Sequence, residues 1–455
     1  MTGFKSLIVA TAVSGVALVS FVGLGGGAYA ADSPATTSVD KKPAKLPKAP
    51  DPCLRVDEQI IPLRVPDFDQ SAAWKRISGV KGADLPRTVL PVVDGGQIVI
   101  GTSTPFDERA GLSAPQIQIL RTDKVGKVVV EKWVPVKDLH HVADAVLLKD
   151  RIVVMTQMGG STESGGAIGL RFLNGAGEEK ASQIISDKAL TYVPKSIVAL
   201  VGNEAMVIAA EARSRRHPAD VYTVLVWVDK TGRVVSQKDY LPGVVNKPEY
   251  IGRLGNSELV VTGRVTTEDG REAGWLVRLD AKGNIIYQRP YARGGDSLLR
   301  HAIPLENGDI LAIGDAIPSV AGDKAAWVMR VNPEGTPVWQ TYLTGKYSYA
   351  GVDIINMNDG RVNALLAGRP TDSGGRRFAR IVTLSTDGVV IGDESFIEGS
   401  NAIPVRLINQ KGRRILVGMA ETGFSKKDAP EDLKYVAFDS WLLELGALPN
   451  FNMTC

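Results

Sequence analysis

Along most of this chain apolar and polar positions alternate in short runs separated by turn residues. The clearest stretch is HAIPLENGDILAIGDA, residues 301–316, where two apolar runs flank Asn307-Gly308. Alternation of period two around an Asn-Gly step predicts a β-hairpin. A second hairpin follows in AWVMRVNPEGTPVWQTYL, residues 326–343, turning at Asn332-Pro333-Glu334-Gly335. The first strand of the four is nearly all apolar, as burial on both faces requires, while the last carries Gln340 and Thr341. The pair predicts a four-stranded antiparallel sheet, graded from apolar inside to polar outside.

The unit recurs. A polar turn step falls at Asp94, Asp150, Asn203, Asn256, Asn307, Asp359 and Lys411, at spacings of 56, 53, 53, 51, 52 and 52 residues. A turn glycine falls at Gly126, Gly177, Gly232, Gly283, Gly335 and Gly388, at spacings of 51, 55, 51, 52 and 53. Two interleaved ladders of one pitch mean one supersecondary unit copied about seven times. No strongly helical segment interrupts the copies. The expected fold is all-β: a single seven-bladed β-propeller of four-stranded antiparallel blades over residues 53–455.

The ends add a check. The seventh copy has a hairpin at VRLINQKGRRILVGMA and a third strand at DSWLLEL, but no fourth strand before Cys455. SAAWKRI, residues 71–77, precedes the first copy without a partner and resembles the fourth strands PVWQTYL and IIYQRPY. The strand of Trp74 is therefore expected to complete the last blade, removing the edge an open array would expose. The two cysteines, Cys53 and Cys455, are expected to form a disulfide across the same seam, with free or intermolecular thiols as the alternative.

Residues 1–30 read as a secretory signal peptide: Lys5, an apolar run from Leu7 to Leu24, and an A-x-A site at Ala28-Tyr29-Ala30. A retained anchor is the alternative. Residues 31–52, rich in Pro, Lys and Ala, read as a linker with too few apolar side chains to order itself. The expected location is periplasmic or secreted, with no integral membrane span after cleavage. The 53 basic and 50 acidic residues give a net charge of +3, too balanced for a nucleic-acid partner.

The runs GWLVRLDAKGNIIYQ and AWVMRVNPEGTPVWQ resemble the tryptophan-bearing repeats of exported bacterial propellers, and are similar to those of quinone-dependent (PQQ-like) propellers. The resemblance implies fold alone, since the chain has no vicinal cysteine pair and no calcium carboxylate cluster. No cofactor or metal is expected. Trp275, Trp327, Trp339 and Trp441 recur in register and read as wedges between blades.

Long, varied loops share one face, where binding residues concentrate. Its rim carries Arg213, Arg215, Arg216, Arg376, Arg377, Lys426 and Lys427. Nearer the channel mouth stand Arg87, His140, His141, Tyr192, Tyr250, Arg300, His301 and Tyr349. His140 and His141, being adjacent in an extended segment, are expected to diverge. With no catalytic residues identified, the expectation is a non-enzymatic scaffold or immunity-type inhibitor that binds an envelope or secreted protein partner. The alternative is an envelope enzyme acting on a carbohydrate or anionic polymer at the channel mouth, with a site drawn from several blades.

Overall fold

Every glycine of the second ladder turns in the left-handed region, from φ 73° at Gly177 to 85° at Gly232. A side chain is strained there, so glycine lets the third strand of each copy fold back onto the fourth within a few residues. The computed structural model describes residues 57–446, apart from 69–71, 81, 108–110, 150, 160–165, 203, 241–244, 269, 292–294, 319–323, 372–374 and 424–436. All lie in the compact unit Leu46–Cys455. The signal and linker segments, Cys53, Cys455, Lys426 and Lys427 fall outside the described residues.

Two strands, β1 (Asp57–Pro62) and β2 (Ala72–Ser78), precede the repeats. The first quartet is β3 (Gly82–Pro91), β4 (Gln97–Asp107), β6 (Gln116–Thr122) and β7 (Val128–Pro135), with a short β5 (Gly111–Leu112) folded back on β4. The second is β8 (Leu139–Leu148), β9 (Arg151–Met158), β10 (Ala167–Asn174) and β11 (Glu179–Ile185). The third is β12 (Leu190–Ala199), β13 (Ala205–Ser214), β14 (Val221–Asp229) and β15 (Val234–Tyr240). The fourth is β16 (Val245–Arg253), β17 (Leu259–Thr266), β18 (Glu272–Leu279) and β19 (Ile285–Tyr291). The fifth is β20 (Ser297–Pro304), β21 (Ile310–Ala316), β22 (Ala325–Val331) and β23 (Pro337–Thr344). The sixth is β24 (Ser348–Asn356), β25 (Arg361–Arg369), β26 (Phe378–Ser385) and β27 (Val390–Phe396). The seventh holds β28 (Ala402–Gln410), β29 (Arg413–Glu421) and β30 (Phe438–Leu445). Within each quartet successive strands pair antiparallel.

The hydrophobic core lies between quartets rather than within one. Trp275 belongs to a cluster joining the third and fourth, and Trp327 to one joining the fourth and fifth. Trp339 lies between the fifth and sixth, and Trp441 between the sixth and seventh. A further cluster sets Val89, Val99 and Leu120 of the first quartet against Ile415, Val417 and Leu442 of the seventh. The tryptophans are the wedges their register predicts.

β2 supplies the strand missing from the seventh quartet. It pairs antiparallel with β30, Trp74 opposite Glu444 and Ile77 opposite Trp441. The indole nitrogen of Trp74 donates to the Glu444 carboxylate at 2.6 Å. A Cβ added to Gly126 in the first quartet would meet the Trp74 ring at 2.5 Å; one added to Gly388 would meet the Trp339 ring at 2.8 Å. The contact that joins the fifth quartet to the sixth thus also joins the seventh to the first.

β1 was not legible in the sequence. It pairs in parallel with β23, from Asp57 opposite Trp339 to Pro62 opposite Thr344. The chain then crosses the sixth quartet, where fully buried Arg380 donates to the Arg64 carbonyl at 2.8 Å. Phe68 meets Phe378 edge-on at 5.3 Å. Residues 57–68 lie against the fifth and sixth quartets, and β2 against the seventh. Among the described residues no helix is long and apolar enough to cross a membrane.

The seam carries a pH dependence. Asp84 on β3 is buried, and burial, with the carboxylates of Asp439 and Glu131 adding to it, raises its pKa from 3.8 to about 6. Between those values the folded state holds a proton the unfolded chain has released. Its contribution to stability is therefore full below pH ~4 and lost by pH ~6, a change of about 3 kcal/mol. The amide oxygen of Asp84→Asn can still accept from the Val80 N–H, bonded at 2.7 Å. Urea midpoints should show the variant gaining on the parent between pH 4 and pH 7; an unchanged difference would refute the assignment.

Candidate functional site

The first strands of successive quartets touch one another in turn, from β3 against β8 round to β28 against β3. Each breaks register near its midpoint: between Pro86 and Thr88, Val142 and Asp144, Pro194 and Ser196, Pro248 and Tyr250, Leu299 and His301, Gly351 and Asp353, and Pro404 and Arg406. The extra residue is Arg87, Ala143, Lys195, Glu249, Arg300, Val352 or Val405. A β-bulge bends its strand and re-aims a side chain. Repeated in all seven first strands, it makes the charged residues Arg87, Lys195, Glu249 and Arg300 the extra residues of four of them.

Arg87, Lys195, Glu249, Tyr250, Arg300, His301 and Arg406 all keep partial exposure there. These partly exposed polar side chains line the inner strands of the quartets. Asp144 and Asp353 are buried and bonded to backbone. Asp144 accepts from Ser196 Oγ at 2.9 Å and from the Ile197 N–H at 3.1 Å. Asp353 accepts from the Leu407 N–H and from its own neighbour Ile354, both at 2.9 Å. Each carboxylate stitches its first strand to the next one.

His301 Nδ1 lies 3.0 Å from Asp353 Oδ1, within contact but without an aligned hydrogen bond. The Tyr250 ring is tilted at 48° over the imidazole with centroids 4.0 Å apart. Burial lowers the His301 pKa from 6.5 to about 4, with Arg406 adding to the effect against the opposing charge of Asp353. His301 is therefore neutral at pH 7. Burial works against the Arg406 charge too, but Asp353 and Asp144 outweigh it and raise its pKa. Burial, then the nearby charge of Arg406, lowers that of Arg87, whose Nε donates to the Ala143 carbonyl at 2.8 Å. Arg300 forks onto Asp315 Oδ1 at 2.7 and 3.0 Å.

His140 and His141 do not diverge. A second register shift at His140 brings their Nδ1 atoms to 2.7 Å, so one ring must donate to the other. Burial, then the charge of Arg87, lowers the His141 pKa to about 3. Tyr192 and Tyr349 lie elsewhere. Both are packed in clusters between quartets, Tyr192 donating to Gln237 at 3.3 Å and Tyr349 accepting from Arg380 at 2.7 Å. They sit early in their first strands, on the face turned to the neighbouring quartet.

Of the rim cations, Arg213 is offset by a carboxylate. Arg213 pairs with buried Glu211 at 2.5 Å, Arg376 donates to the Gly399 carbonyl, and the Arg377 backbone N–H donates to Asn401 at 2.9 Å. Arg215 and Arg216 are exposed. Sequence reasoning missed Lys195, Glu249, Arg406, Asp144 and Asp353. A signal for three of these was present: Pro86, Pro194, Pro248 and Pro404 fall at one register, each just before the extra residue. Among the described residues no three His, Cys, Asp or Glu side chains group as a metal site.

No family model and no curated protein matches this chain. Among solved structures it resembles puromycin hydrolase, at 13% identity and TM-score 0.46, over 74% of this chain and 50% of that one. It also resembles the acylaminoacyl peptidase of Pyrococcus horikoshii, at 12% identity and TM-score 0.41, over 78% of this chain and 51% of that one. A subtype N10 neuraminidase-like protein of A/little yellow-shouldered bat/Guatemala/060/2010 matches at 12% identity and TM-score 0.40, over 66% of this chain and 94% of that one. These neighbours are propeller-type folds. The chain spans about half the length of the hydrolase and peptidase chains. The expected non-enzymatic scaffold is corrected on this finding, because the neighbours it meets first are enzymes.

Proposed function

We propose that this chain is an exported enzyme built as a closed, seven-bladed β-propeller, which performs acid–base chemistry on a carbohydrate or anionic polymer at the mouth of its central lumen. Closure is supported by the β2–β30 pairing and by the cluster joining the first and seventh quartets. The observation that carries the catalytic reading is His301, a neutral and partly exposed imidazole beside Asp353 and under Tyr250. A neutral imidazole can take a proton at pH 7, and a carboxylate beside it steadies the imidazolium that forms. Tyr250 covers one face of the ring and fixes its plane.

The test is release of product from a panel of uronate-, sulfate- and phosphate-bearing polysaccharides by the purified chain. His301→Gln should lower turnover about 10²- to 10⁴-fold while leaving the far-ultraviolet dichroism unchanged. The parent's acid limb should fall near pH 4, where His301 gains its proton. Turnover equal in parent and variant, or no product from any member of the panel, would contradict the reading.

A further inference from the structure

Where neighbouring quartets bridge, the next residue of the first strand is polar, and at one junction it is an acid facing an acid. In the fourth quartet Val245 bridges Val221 of the third, and Asn246 follows it. The Asn246 amide is bonded at both ends, accepting from Thr223 Oγ1 at 2.7 Å and donating to the Tyr240 carbonyl at 3.3 Å. In the first quartet Ala83 bridges Phe438 of the seventh in the same parallel sense, and Asp84 follows it. Here the facing group is Asp439. A Cβ built on Gly79 would lie 2.2 Å from Asp439 Oδ1 and 2.5 Å from Asp84 Oδ2, so the two oxygens are no farther apart than those distances laid end to end. That is the span of two calcium–oxygen bonds of about 2.4 Å each. Ser103 stands opposite Asp84 across β3 and β4. Its hydroxyl and Asp84 Oδ1 are buried, and among the described residues neither has an aligned hydrogen bond. The charges acting on Asp84 are those of Asp439 and Glu131, both acidic.

We propose that a hard divalent cation, calcium, binds between Asp84 and Asp439, with the Ser103 hydroxyl and water completing its oxygen ligands. The set needs no third acidic side chain. Calcium accepts irregular oxygen sets that include water, whereas magnesium demands a near-ideal octahedron. Two carboxylates facing each other at a buried junction must hold a proton or a cation between them. Asp84 keeps its proton when the ion is absent, and the ion takes the place of that proton when it binds. The ligands are already oriented: Asp84 Oδ2 accepts from the Val80 N–H and Asp439 Oδ2 from Thr422 Oγ1, both at 2.7 Å. Asp439 is partly exposed, which gives the ion a way in. Because β3 and β30 each supply a carboxylate, the ion would tie the first quartet to the seventh.

The experiment is calorimetric titration of the full chain, stripped with EDTA and dialysed, with calcium chloride at pH 7.5 and pH 5, and with magnesium chloride as the smaller ion. One saturable calcium site per chain is expected at pH 7.5, with magnesium at least tenfold weaker. At pH 5 binding should weaken about tenfold, because Asp84, with its pKa raised to about 6, then holds its proton. Asp84→Asn and Asp439→Asn should each weaken binding at least tenfold; Glu334→Gln, on an exposed turn, should change nothing. Urea unfolding in EDTA shows whether each variant folds. Saturating calcium should raise the parent's urea midpoint at pH 7.5 and leave that of Asp84→Asn unchanged. His301→Gln should bind calcium as the parent does, which keeps this outcome separate from that of the catalytic reading. No saturable calcium binding, or equal binding by the parent and both Asn variants, would overturn the proposal. Magnesium binding as tight as that of calcium would overturn the choice of ion.

Discussion

Deleting the chain through Ser78 should abolish cooperative folding. The deletion strips β30 of its outer partner and opens an unpaired edge carrying Trp441 and Leu443. It also removes the Trp74 ring from Gly126, the Arg76 guanidinium from the Gly126 carbonyl and the Ser78 hydroxyl from Glu131, three ties from this segment to the first quartet. The expected loss exceeds about 5 kcal/mol, comparable with the whole net stability of a typical domain. Deleting only through Pro62 removes β1 and should cost far less, because β23 keeps its antiparallel partner β22. Urea unfolding followed by far-ultraviolet dichroism separates the cases. A cooperative transition of unchanged midpoint after the longer deletion would show that β2 is not part of the ring.

Asp353→Ala should be the most damaging single substitution in the lumen. It leaves the buried Leu407 N–H without its acceptor and takes a carboxylate from beside Arg406 and His301. Removing one partner from a buried charged network costs about 3–5 kcal/mol, because the remaining charge stays desolvated. Asp353→Asn keeps an acceptor for Leu407 and should lose less. The same removal deepens the positive field at His301, so its imidazole should become harder to protonate still. Chemical denaturation and imidazole resonances followed against pH check both statements. An Ala variant within 1 kcal/mol of the parent, a typical surface-substitution scale, would refute the role of Asp353.

The fold was legible because its determinants are local. A turn that needs positive φ selects glycine, and such turns recur with the pitch of the repeat, so Gly126 to Gly388 mark the hairpins. Trp74 could be matched to Trp339 because equivalent strands meet equivalent surroundings, a glycine turn of the next quartet. β1 escaped because residues 57–62 have no repeated counterpart, and a parallel strand added to a sheet edge is chosen by that edge, not by its own pattern. The lumen was half legible. Arg87, Tyr250, Arg300 and His301 stand out as polar residues in apolar strands, but strict alternation places each on the wrong side of its neighbour once a bulge intervenes. The same effect brought His140 onto His141 and hid Lys195, Glu249 and Arg406. Tyr192 and Tyr349 look like their lumen counterparts in sequence and lie in the core because they precede the bulge.

The account turns on seven first strands arranged round one lumen, and a crystal structure of the chain tests that most directly. It should show Trp74 opposite Glu444 and stacked on Gly126, with the seven first strands facing the same central space. An open arc of sheets, with Trp74 far from Trp441, would contradict it.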